Sequence, residues 1–287
     1  MPRFPVNQKT REEPGRGAPH ISREIVAATK EVLDYTEGGI ADIQVAVINA
    51  STVLTDAQVR DVVPALQLQV HRDLAPAWGI DADLTFVPKG AQPPANTWWL
   101  AILDDSTQAG ALGFHETTTQ GMPLGLAFAR TAAEDGVNWT VTASHELLEM
   151  LVDPEINLTV FVQHTNTTGT LYAYEVCDTC EADQFGYDIN GVKVSDFVYP
   201  AWFETFRARG STQFDFGKHV TAPVPQLLPG GYIGAFDVGS GSGWHQVTAM
   251  RHHAVQGARR VHAPPGSRRD RRAIGRDEWQ RSQIRFD

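Results

Sequence analysis

The run Ile43-Gln44-Val45-Ala46-Val47-Ile48-Asn49 is dense in β-branched residues and predicts a strand. The apolar period then changes: Val59, Val62, Val63, Leu66, Val70 and Leu74 have helical spacing and predict a helix from Ala57 to Trp78, with Thr55 or Asp56 as N-cap. Pro64 is expected to kink this helix or to sit in its first turns, since proline lacks an amide hydrogen and its ring crowds the preceding turn. Further strands are expected at Asp83–Pro88, Trp98–Leu103, Gly113–Glu116 and Leu124–Ala129, the last two flanking the turn-like Gln120–Pro123. Asn138–Ala143 leads into a second helix whose Leu147, Leu148, Met150, Leu151 and Val152 offer a broad apolar surface, and Asp153-Pro154 should end it. Downstream, Thr159–Gln163 and Thr170–Val176 read as strands, and Asn190-Gly191 between Tyr187–Ile189 and Val192–Val194 is a strong hairpin signal. A short helix is expected over Ile21–Tyr35, and no segment repeats. The order, strand then helix then a run of strands around a second helix, predicts an α+β fold: a mixed, mostly antiparallel-edged sheet packed on that helix.

Composition sets the scale. The chain has 287 residues, 42% hydrophobic and 20% charged, enough for one substantial core. This predicts a flexible arm over 1–20, a folded domain over 21–235, and a Gly-rich linker with a basic, disordered tail over 236–287. Apolar runs such as Ile43–Ala50 fall far short of the ~20 residues a membrane span requires, so no membrane association is expected. Residues 1–17 show no apolar leader core, and a cytoplasmic location is expected. The net charge of -10 hides an asymmetry. Residues 251–287 hold ten arginines against four acids, so of the 24 basic and 34 acidic residues the first 250 keep 14 and 30, a net of -16. Such an acidic body repels phosphate and disfavours nucleic acid. Cys177 and Cys180 form a lone C-x-x-C, half of any four-cysteine zinc site, and are expected to be plain thiols.

The chemistry concentrates on the second helix. His145, Glu149 and Asp153 recur every four residues and should stack as one column of ligand-type side chains. An imidazole with carboxylates suits Zn2+, and the oxygen-rich set would also suit Mn2+ or Ca2+. Glu146 stands where an H-E-x-x-H helix carries its general base, with Glu149 in place of the second histidine. Glu175 and Asp178, coming off a predicted strand, are candidates to complete the metal site along with Asp153. His115, on a predicted strand ahead of the helix, is a candidate substrate contact. A solvated polar face is the competing explanation, but carboxylates at this spacing repel by a few tenths of a kcal/mol, which a cation would remove.

The string Ser144-His145-Glu146 through Glu149, then Asp153-Pro154 and later Glu175-x-x-Asp178, resembles the S-H-E-x-x-E-x-x-x-D-P pattern of zincin-like bacterial proteins. It is also similar to a segment of the plant Exordium/phosphate-induced proteins. The resemblance covers about residues 120–205 and implies a zincin-like fold and a zinc-dependent metallopeptidase or hydrolase acting on peptide or protein substrates. It would make His145 and Glu149 ligands, Glu146 the catalytic base, and Glu175 or Asp178 a further ligand or support. A non-catalytic metal-binding protein using the same site is the alternative.

Overall fold

Strand β1 (Ile43–Asn49) is an inner strand of a five-stranded sheet. The computed structural model describes residues 42–249 except 107–110, 119, 241 and 242, so the arm, the helix expected over 21–35 and the Arg-rich tail fall outside the described residues. The sheet order is β2 (Ala82–Val87), β1, β3 (Trp98–Leu103), β5 (Pro123–Phe128) and β4 (Gly113–Thr117). The first four run parallel, and β4 pairs antiparallel with β5 at the edge. Val45 and Val47 face one core while Ala46 and Ile48 face another with Leu103, Leu126 and Phe128. Burial on both faces is why β1 reads as a continuous apolar run rather than an alternation.

Helix α1 (Asp56–Leu68) starts at a capping box: the Thr55 hydroxyl accepts the Gln58 amide at 3.2 Å, and the Gln58 side chain accepts the Thr55 amide at 2.9 Å. Pro64 sits inside it without ending it. Beyond Leu68 the helix widens into a π turn, Gln69–Leu74, and then closes as α2 (Ala75–Trp78) at left-handed Gly79. That turn carries Gln69, whose side chain accepts from the Ser144 hydroxyl at 2.6 Å and donates to the Ser195 carbonyl at 2.8 Å.

A short helix not foreseen in the sequence, α3 (Ala129–Asp135), follows β5 and precedes α4 (Trp139–Val152). Every residue of α4 from Val141 onward is buried, with β4 and β5 against one side and the later strand Val192–Val194 against another. As expected the helix stops before Pro154, with Asp153 as its C-cap. Among the described residues no helix is long and apolar enough to cross a membrane.

The remainder is an antiparallel sheet in the order β11 (Trp244–Thr248), β10 (Tyr232–Val238), β7 (Gly169–Ala173), β6 (Thr159–Gln163), plus the hairpin β8 (Tyr187–Ile189) and β9 (Val192–Val194). Asn190 and Gly191 both take positive φ at the hairpin turn, as a two-residue turn of this hand demands. The described residues correct the expected end of the domain: residues 236–238 and 244–248 belong to paired strands rather than to a linker. Phe197, Val198, Trp202 and Phe203 are core. Cys177 and Cys180 are buried free thiols.

Candidate metal centre

Helix α4 packs over Gly113 of β4 and Gly125 of β5, and its close approach depends on the missing side chain at Gly113. Gly125 pairs with His115 across the two strands, and a methyl there would lie 3.5 Å from the Glu146 carbonyl oxygen. Gly113, two residues before His115 and therefore on the same face, is tighter. A Cβ at Gly113 would lie 2.6 Å from Thr142 Cγ2, 2.7 Å from Glu146 Oε1 and 2.7 Å from the Leu126 carbonyl oxygen. Gly113→Ala is therefore expected to cost about 1–3 kcal/mol of stability and to displace the Glu146 carboxylate, checked by urea unfolding and metal content of the variant.

With the backbones this close, α4 carries His145, Glu146 and Glu149 into the same buried space as His115 from β4. His145 Nε2 lies 3.2 Å from Glu149 Oε2 and 3.3 Å from Asp178 Oδ1. His115 Nδ1 lies 3.6 Å from both Glu146 Oε2 and Glu149 Oε2, and its Nε2 is 3.7 Å from Glu175 Oε2. None of the six side chains belongs to a residue more than 8% exposed. Two groups of donors have all their atoms within 4.8 Å of one another: His115, Glu149 and Glu175, and His145, Glu146 and Glu149.

The sequence-predicted residues thus divide. His145, Glu146, Glu149, Glu175 and Asp178 converge. Asp153 falls outside both donor groups; its carboxylate accepts the amides of Asn157 at 3.0 Å and Leu158 at 3.2 Å, closing the turn beyond the helix. Asp153 is thus past the last helical residue, where the column of four-residue steps no longer holds. His115, expected as a substrate contact, has no exposed surface and stands inside the cluster as a donor. Tyr232 went unforeseen. It opens β10 and hydrogen-bonds the Asp178 carboxylate, and Gly231 lets it arrive, since a Cβ there would lie 2.2 Å from the Thr179 carbonyl oxygen. The only sequence signal for it was a glycine pair ahead of an apolar run.

Electrostatics follow from burial. Burial opposes the His145 imidazolium, but the Glu149 charge and the contacts to Asp178 and Glu149 outweigh it, holding its pKa well above the usual histidine value. Burial also opposes the Glu149 carboxylate, yet His145 first, then His115 and the Cys177 amide (3.1 Å to Oε1), bring it down to about 2. Asp178 is pushed up to about 6 by burial and by the neighbouring Glu149 charge. Burial keeps the Tyr232 phenol protonated, so it donates to Asp178.

The donor set suits a divalent cation. A tetrahedral ion with ligands at about 2.0–2.1 Å sets neighbouring ligands about 3.3–3.4 Å apart, whereas direct N–H···O bonds centre on about 2.9–3.0 Å. Imidazole-to-carboxylate separations of 3.2 to 3.7 Å match the former better. Comparison with protein-family models, with curated proteins and with solved structures gives no match to this chain. The site's own chemistry therefore carries the functional reading.

Proposed function

We propose that this chain is a metal-dependent hydrolase, with Zn2+ as the cation its donors suit best and peptide or protein as its substrate class. The carrying observation is the buried convergence of imidazole nitrogens and carboxylate oxygens at ion-coordination spacing around Glu149. His145 and Glu149 would hold the cation, with Asp178 beside His145 as the further oxygen donor. A divalent cation in such a site supplies Lewis acidity, lowering the pKa of a coordinated water toward ~7. Glu146, within 4.8 Å of the donor atoms of both His145 and Glu149, is placed to take a proton at its carboxylate. Tyr232 fixes Asp178, and the Cys177 and Asp178 amides fix Glu149, so the donors are oriented before any cation arrives.

One observation favours a second reading, a closed and non-catalytic metal site: every donor residue is at most 8% exposed. Glu146→Gln separates the two. If the site is hydrolytic, the variant keeps its zinc by elemental analysis and loses about 100-fold or more of its activity on a denatured protein substrate. Zinc-loaded wild type that cleaves no such substrate gives the decision to the closed site. Absence of stoichiometric metal in wild type, indistinguishable from His145→Ala, overturns both.

A further inference from the structure

Glu149 belongs to both donor groups, and this carries an inference that rests on the metal-binding reading above and goes beyond it. We propose that the cluster holds two divalent cations bridged by the Glu149 carboxylate, one on the His145 side and one on the His115 side. Each group contains one imidazole, and among the described residues no group within 4.8 Å contains both. Ligands of one ion with bonds of about 2.1 Å stand at most about 4.2 Å apart, even on opposite sides of it. The two imidazoles therefore serve different positions. Glu149 Oε2 reaches both imidazoles, 3.2 Å from His145 Nε2 and 3.6 Å from His115 Nδ1. Its other oxygen is occupied by the Cys177 and Asp178 amides, which aims Oε2 at the gap.

The remaining donors sort by side. Asp178 stands with His145, Glu175 stands with His115, and Glu146 approaches both, 3.6 Å from His115 Nδ1 and in the His145 group as well. Charge points the same way. Glu146, Glu149, Glu175 and Asp178 are four carboxylates, each on a residue at most 5% exposed. With neutral imidazoles they balance the charge of two divalent cations, which suits a medium where an uncompensated charge costs several kcal/mol. Paired metals about 3.5–4 Å apart commonly share a bridging ligand in this way. A zinc-helix motif read alone supplies one ion, so the second position is visible only from the strand histidine.

Stoichiometry decides it. Full-length protein titrated with Zn2+ and desalted is expected to retain two equivalents by elemental analysis, and His115→Ala and His145→Ala one each. Loaded instead with Mn2+, the wild type should give the electron paramagnetic resonance spectrum of an exchange-coupled pair, a readout needing no variant to fold. One equivalent in wild type with an uncoupled Mn2+ spectrum overturns the second position and leaves the single-metal reading standing. Two equivalents persisting in His115→Ala also overturn the assignment. No retained metal removes this inference and the functional reading together.

Discussion

Glu149→Ala is expected to abolish stoichiometric metal binding and to cost about 3–5 kcal/mol of folding stability, the penalty typical of breaking a buried ion pair. Both effects follow from one carboxylate having two jobs. Oε2 faces the two imidazoles, and Oε1 accepts the amides of Cys177 and Asp178, which are themselves buried. Removing the side chain leaves those amides without their acceptor and leaves His145 facing only Asp178 among the carboxylates within 3.3 Å. Glu149→Gln divides the two jobs. Its amide oxygen can still accept both backbone amides, so guanidinium unfolding should show much of the lost stability recovered, while metal stays absent because a neutral amide is a poor bridge between cations. If Glu149→Ala instead keeps its metal, the ion is held elsewhere and Glu149 is only a structural acceptor.

The site was partly legible in the sequence, and to a different degree at each residue. The spacing of His145, Glu146 and Glu149 needs nothing but helix geometry, and Asp153-Pro154 marks the stop by local sterics alone. Asn190-Gly191 likewise fixes its own turn. Glu175 and Asp178 announced themselves as acids leaving a predicted strand. His115 was legible only as a candidate substrate contact, because its place among the donors depends on β4 pairing antiparallel with β5 in the register that sets it opposite Gly125 and over α4. No local pattern encodes that. The same holds for β10 and β11: Ile233 and Ala235 alternate as a half-buried strand should, but the glycines and serines that follow read as a linker until the partner strand β7 is in place. Helix α3 was hidden for a different reason, since Ala129 closes an apolar strand run and opens the helix without a side-chain cap.

Outside the metal centre, Asp196→Asn is expected to flatten the pH dependence of stability. Asp196 and Asp215 are both fully buried, and Asp196 Oδ2 has no hydrogen-bond partner there. Asp196 Oδ1 accepts the Phe197 and Gly217 amides, each at 2.8 Å, while Asp215 accepts those of His219 at 2.8 Å and Val220 at 3.0 Å. Burial first, then Asp215, push the Asp196 pKa from the ordinary 3.8 up to about 8. A raised carboxyl pKa means the folded chain binds the proton more tightly than the unfolded one. Its contribution is therefore most favourable below about pH 4, and stability falls as pH rises through the window from there to about 8. At about 1.4 kcal/mol per pH unit, holding that proton at pH 7 costs on the order of 4 kcal/mol. Cys180 and Tyr187, which feel the same charge, are kept neutral by burial and add no opposing slope in that window. Asparagine keeps the Oδ1 acceptor for the Phe197 and Gly217 amides and has no carboxyl proton to hold. Urea unfolding should thus find Asp196→Asn close to wild type near pH 4.5 and more stable by a few kcal/mol at pH 8. Two curves that run parallel across this range would show that the folded chain does not hold the Asp196 proton more tightly than the unfolded one.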